Sequence, residues 1–134
     1  MDFPVQRSLD EWHQLLDPER FAVLRQAATE APFSGSLLTL DDDGVYRCAG
    51  CGQRLFASER KFDAGCGWPS FDRCEEGSIV ERRDTSLGRE RTEIVCASCG
   101  GHLGHVFDDG PTDTGLRYCV NSLALNFEPE SPAS

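Results

Sequence analysis

Cys48-Ala49-Gly50-Cys51-Gly52 returns, with a single internal change, as Cys96-Ala97-Ser98-Cys99-Gly100. In each copy two thiols are separated by two residues, so one tight turn can present both sulfurs to one ion. The glycine after the second thiol permits the positive φ that closes such a turn. Two knuckles of this kind supply Cys48, Cys51, Cys96 and Cys99 as the ligands of one tetrahedral zinc. With four thiolates no coordination position stays open, so the ion is expected to be structural rather than catalytic. The pairs stand further apart in the chain than those of common zinc ribbons, and the fold has to bring them together, which sheet topology can do. A redox-active pair fits less well, because such motifs place the first cysteine at a helix N-terminus, whereas glycine and turn residues follow here. A finger made of Cys96, Cys99, His102 and His105 leaves only two residues between Cys99 and His102, too short for the usual arrangement.

Outward from the knuckles the chain is β-rich. Short runs at Val45 to Cys48, Ser78 to Arg82, Arg91 to Cys96, Leu103 to Phe107, Leu116 to Val120 and Leu123 to Phe127 alternate with Gly, Pro and Asp turns, a pattern that predicts antiparallel strands. Before them, Ser8 and Glu11 form a capping box for a helix over residues 9–16 with Leu9, Trp12, Leu15 and Leu16 at helical spacing on its apolar side. Asp17-Pro18 starts a second helix, with Phe21, Leu24 and Ala28 as its stripe, ending before Pro32. Asp41-Asp42-Asp43-Gly44 lacks the alternating ligands and distal glutamate of a calcium loop and reads as a turn. The tail after Phe127 has a disordered composition. The expectation is a β-rich α+β fold, with antiparallel sheets forming a barrel-like core, two short N-terminal helices and the zinc knuckle pair. It forms a single domain over residues 1–134, with its core at about 8–128.

The 134 residues suffice for one domain with a genuine core. A net charge of −10 repels a phosphate backbone, and the nearest basic pair, Arg82-Arg83, is bracketed by Glu81 and Asp84, so no nucleic-acid partner is expected. The N-terminus carries no apolar run, which predicts neither a secretory signal nor a membrane span and makes a reducing, cytoplasmic setting the expectation. In that setting seven cysteines point to metal binding or catalysis rather than to a disulfide framework.

Three cysteines remain: Cys66, Cys74 and Cys119. In Arg117-Tyr118-Cys119-Val120-Asn121, strand spacing puts Arg117, Cys119 and Asn121 on one face. A cation beside a thiol favours thiolate, the nucleophilic form. The same face continues as Leu123, Leu125 and Phe127, so an inert core thiol competes with the nucleophile. Cys66 lies in Gly65-Cys66-Gly67-Trp68-Pro69-Ser70-Phe71, rich in residues that shape turns and pockets. His102 and His105, a hairpin away from Cys119, can exchange protons near neutral pH.

Taken together, the paired cysteines, Lys61-Phe62-Asp63 leading into Gly65 to Phe71, His102 to Pro111, and Arg117 to Ser122 resemble the methionine-R-sulfoxide reductases, the B class of peptide methionine sulfoxide reductases. The resemblance spans about residues 8–128. It implies a structural zinc and a pocket for the R epimer of oxidised methionine, free or in proteins and peptides. It implies Cys119 as the nucleophile and Cys66 as the resolving thiol, with His102, His105, Asp109, Arg117 and Asn121 as polar active-site residues. Trp68 would hold the substrate methyl, with Phe107 as a second aromatic on the substrate side. Cys74 matches no family motif and is either an alternative resolving thiol or a bystander. Reduction would pass through a Cys119 sulfenic acid and a disulfide recycled by a thioredoxin-type dithiol, in a monomer without membrane partners. Two other classes remain open at this point: a zinc-stapled interaction module, and a thiol redox sensor or peroxidase.

Overall fold

The computed structural model describes residues 3–85, 88 and 90–129. Helix α1, Leu9–Leu15, begins as its sequence predicts: Ser8 Oγ accepts from the Glu11 amide while the Glu11 side chain accepts from the Ser8 amide. The reciprocal pair satisfies amides that the first helical turn cannot. Asp17 caps α2, Pro18–Gln26. This helix stops well before Pro32, because Ala27 adopts a left-handed conformation with φ 56°, and its amide turns back to the Ala22 carbonyl. Trp12, Leu16, Phe21, Val23 and Leu24 are buried, whereas Leu9 and Leu15, expected on the apolar side of α1, are exposed.

Nine strands are present among the described residues: β1 Gly44–Cys48, β2 Arg54–Ala57, β3 Lys61–Phe62, β4 Ser70–Phe71, β5 Ile79–Asp84, β6 Arg91–Cys96, β7 His102–Phe107, β8 Arg117–Val120 and β9 Leu125–Pro129. They form two antiparallel sheets, ordered β2-β1-β9 and β3-β4-β8-β7-β6-β5. Tyr46, Leu55 and Phe56 from the smaller sheet and Phe71, Tyr118 and Val120 from the larger one are buried in one core. There Phe56 stacks on Phe71 at 4.2 Å between ring centroids. Helix α2 packs against β7 and against a 3-10 turn at Ser122–Ala124.

Three expectations are corrected. The sheets do not close into a barrel among the described residues, since closure requires the outermost strands to pair and β3 and β5 end the larger sheet without bonding each other. The segment expected as a strand from Leu123 begins instead with the 3-10 turn, which diverts the chain into the other sheet before β9. The apolar face beyond Cys119 is therefore not continuous with β8. The tail is ordered further than its composition suggests: Glu128 pairs with Val45 and Pro129 with Gly44, Pro129 being tolerated at the end of a strand on a sheet edge. The tail from Glu130 onward lies outside the described residues. The strands β2, β3 and β4 escape the sequence pattern because runs of two to four residues carry little periodicity.

Candidate active site and metal centre

The knuckles converge. Pairing of β1 with β9 and of β6 with β5 and β7 fixes the ends of β1 and β6, where Cys48 and Cys96 sit. The turns that follow close through Gly52 and Gly100, both at positive φ, whose amides donate to the Cys48 and Cys96 carbonyls. All four sulfurs lie within 4.8 Å of one another, with Cys48 Sγ 3.7 Å from Cys99 Sγ and Cys51 Sγ 3.5 Å from Cys96 Sγ. A tetrahedral zinc with Zn–S bonds near 2.3 Å demands sulfurs about 3.8 Å apart, so these four cysteines fit a metal ion. Helix α2 leans on the centre, with Arg25 Nη2 donating to the Cys99 carbonyl at 3.0 Å while its guanidinium lies 4.7 Å from the Trp12 ring centre.

On the larger sheet a cavity of about 500 Å³ is lined by Cys66, Trp68, His105, Phe107, Arg117 and Cys119, together with Asn121. Strand alternation accounts for Arg117 and Cys119 pointing into it, because Tyr118 and Val120 turn to the core. Register puts His105 opposite Cys119 across β7 and β8, and Ser70 opposite Cys119 across β4 and β8. Cys66 arrives on a turn bracketed by Gly65 and Gly67, both at positive φ. A Cβ on Gly67 would also run into Pro32. The result is two sulfurs facing each other, Cys66 Sγ and Cys119 Sγ, 3.2 Å apart.

Their protonation is unequal. Burial pushes the Cys119 thiol up to about 12, with the hydrogen bond and the charge of Cys66 adding to it, while the Arg117 guanidinium opposes the rise from 3.6 Å. Burial also pushes Cys66 up, but hydrogen bonds from Ser70 and Cys119 outweigh it and leave Cys66 below the ordinary thiol value. Of the two thiols, Cys66 is therefore the first to lose its proton. The neighbouring thiol opposes the thiolate that Arg117 was expected to promote on Cys119.

The polar residues divide. His105 lines the cavity and its Nε2 bonds Asp84 Oδ2 at 2.7 Å; burial lowers its pKa, against the hydrogen bond to Asp84 that raises it. His102 is only 5% exposed, holds Glu93 Oε2 at 2.6 Å through Nδ1 and does not line the cavity. Its ring instead meets the His105 ring edge-on, 5.7 Å between centroids. Asp109 stays outside, its side chain 61% exposed, gripping Arg117 through two bonds of 2.8 and 3.1 Å. The Arg117 guanidinium also lies 4.5 Å from the Phe107 ring centre, a cation–π contact that ties both to the cavity wall. Asn121 is buried, its Oδ1 accepting from the Glu30 amide and its Nδ2 donating to the Leu103 carbonyl. Cys74 packs against the core and hydrogen-bonds Tyr118 Oη at 3.7 Å, on the side of β8 away from Cys119.

Sequence reasoning missed Thr29, Glu90, Arg91 and Gly104, which line the cavity, and Asp84 and Glu93, which hold the histidines. Gly104 alone carried a readable signal, as a glycine inside a strand pattern marks close backbone approach: a Cβ there would collide with the Cys119 carbonyl. No helix among the described residues is long and apolar enough to cross a membrane.

The SelR domain family matches residues 16–129 of the chain. Proteins named peptide methionine sulfoxide reductase MsrB are similar along nearly all of it. That of Chromohalobacter salexigens is 54% identical over 131 residues, 96% of this chain and 98% of the relative. Those of Bradyrhizobium diazoefficiens and Methanosarcina barkeri are 55% identical over 130 residues and 53% over 127, covering 96% and 94% of this chain and 94% and 89% of the relatives. With a matching domain over most of its length and relatives at this identity, the chain belongs to the peptide methionine sulfoxide reductase MsrB family.

Proposed function

We propose that the protein, acting as a single domain and a monomer in a reducing, cytoplasmic compartment, reduces the R epimer of methionine sulfoxide, in proteins or peptides, to methionine. The observation that carries the reading is the pair of thiols 3.2 Å apart in a cavity that also holds His105, Trp68 and Arg117. Cys66, the more acidic thiol of the pair, takes as thiolate the proton of Cys119 across their contact, leaving thiolate beside Arg117. The Cys119 sulfur attacks the sulfoxide sulfur while His105, oriented by Asp84, donates a proton to the sulfoxide oxygen. The oxygen passes to Cys119 as a sulfenic acid and methionine leaves. The Cys66 thiol condenses with the sulfenic acid, forming the disulfide and releasing water. Exchange with a thioredoxin-type dithiol returns both thiols and leaves that partner oxidised.

Trp68 and Phe107 form the wall for the substrate methyl, and exchanging epimers would swing the oxygen away from His105. His102 acts behind His105, and Asp109 and Asn121 hold Arg117 and the cavity floor. Cys48, Cys51, Cys96 and Cys99 would hold zinc, one ion per chain, as a structural link between the two sheets that would supply no reaction chemistry. The test supplies separated R and S sulfoxides of N-acetylated methionine with dithiothreitol. Reduction of R alone, abolished in Cys119→Ser, is expected; no reduction of either epimer would sink the reading.

A further inference from the structure

We propose that Glu30, which no motif singles out, is a positioning residue: its buried carboxylate anchors a strap of residues 30–33 that holds Trp68 and the Cys66 turn over Cys119. The inference rests on the sulfoxide reduction proposed above and names a residue that prepares its site.

Three groups of this one residue reach three parts of the site. The carboxylate Oε1 accepts from the Leu123 amide at 2.9 Å, fixing the strap to the 3-10 turn that follows the Cys119 strand. The Glu30 amide donates to Asn121 Oδ1 at 2.9 Å, and the Glu30 carbonyl accepts from the Trp68 indole Nε1 at 3.0 Å. Asn121 and Trp68 both line the cavity, whereas Glu30 does not, so it acts through them. Further along the strap the Phe33 amide donates to the Gly67 carbonyl at 2.7 Å. Pro32 occupies the space a Gly67 side chain would need. The strap therefore grips the Cys66-Gly67-Trp68 turn on both sides of Gly67. Phe33 sits at φ 65°, a conformation that an aromatic residue keeps only where its surroundings enforce it.

The anchor is dry. Glu30 is 7% exposed, and Gly35 closes so tightly over its Oε2 and over Ser122 Oγ that no side chain fits there. A hydrogen bond in such surroundings is stronger than in water. The other carboxylate oxygen, Oε2, has no hydrogen-bond partner among the described residues, so a single neutral acceptor can replace the group. Without that acceptor the strap loses its tie to the Leu123 amide, and the Trp68 ring is no longer held at one angle.

The experiment uses the full chain, with Glu30→Ala and Glu30→Gln, and N-acetylated methionine-R-sulfoxide with dithiothreitol. Loss of one buried hydrogen bond predicts a KM about tenfold higher in Glu30→Ala with kcat little changed. Glu30→Gln, which keeps a carbonyl acceptor, should stay within about twofold. Acrylamide quenching gives a reading independent of activity, because Trp12 is 1% exposed and Trp68 dominates the accessible fluorescence. Quenching should rise in Glu30→Ala and stay unchanged in Glu30→Gln. Should Glu30→Ala fail to fold, Glu30→Asp, whose shorter arm misses the Leu123 amide, supplies the same comparison. A fall in kcat with KM unchanged, unaltered quenching, or a Gln variant as impaired as Ala would each overturn the assignment. If the unaltered protein reduces neither epimer, the proposed activity fails while the quenching comparison still decides the role of Glu30.

Discussion

Cys119 lies 3.2 Å from Cys66 and 3.6 Å from the Arg117 guanidinium, sulfur on one side and cation on the other. The distance exceeds the 2.05 Å or so of a disulfide, and both cysteines are free thiols. The two neighbours pull the Cys119 proton in opposite directions, and burial, with Cys66 adding to it, prevails over Arg117 and pushes the thiol up to about 12.

Replacing Cys66 by alanine removes a hydrogen bond and a negative charge that raise the Cys119 pKa, and keeps the arginine that lowers it. The value should therefore fall from about 12 toward the ordinary thiol range. The pH dependence of Cys119 alkylation by iodoacetamide measures this, and an unmoved or higher midpoint would contradict the shared-proton arrangement. Turnover with dithiothreitol should persist in this variant while thioredoxin-driven turnover is lost. Unchanged thioredoxin turnover would show that Cys66 is not the resolving thiol.

His105 titrates below its ordinary value because burial disfavours its charged form. The unfolded chain then binds more protons than the folded one as pH drops through the ordinary histidine range. The stability that His105 contributes is complete above about pH 6.5 and is lost as pH falls toward its folded pKa. In the proposed role of proton donor His105 has to be charged, so kcat/KM should decline with rising pH on a limb lying below about 6.5. Asp84→Asn removes a hydrogen bond and a charge that raise the pKa, which should move that limb to lower pH. A limb left in place would assign the proton to another group.

Metal analysis should find about one zinc per chain, absent from Cys48→Ser. Structural zinc binding is coupled to folding at about 10 kcal/mol or more, so a strong chelator should unfold the protein, followed by loss of the far-ultraviolet dichroism. A chelated protein with its melting transition intact would show that the four thiols hold no structural ion.

Gly104→Ala should destabilise the fold by about 1–3 kcal/mol and reduce activity, because its Cβ collides with the Cys119 carbonyl where Gly104 pairs with Val120. Urea denaturation and the sulfoxide assay measure the two effects together. Undiminished stability would mean that β7 and β8 can separate without cost.

Features set by near neighbours in the chain were legible in the sequence. Ser8 and Glu11, or Asp17 and Pro18, meet within a single helical turn, so their spacing dictates both helix starts. Each knuckle is a local turn whose glycine and thiol spacing suffices to mark a candidate metal site, and strand alternation alone puts Arg117 and Cys119 on one face. The run of apolar residues after Cys119 misled because hydrophobicity does not say to which sheet a segment belongs; the 3-10 turn at Ser122–Ala124 decides that.

The sequence by itself determined the two knuckles, the capped helices, the strand-rich pattern and Cys119 as the thiol beside a cation. Only the tertiary structure decided that Cys66 rather than Cys74 faces Cys119, that His105 lines the cavity while His102 lies behind it, and that Glu30 reaches Trp68, Asn121 and Leu123. These relations join residues far apart in the chain. They follow from strand register and from the backbone approach at Gly67 and Gly104, which local periodicity does not encode.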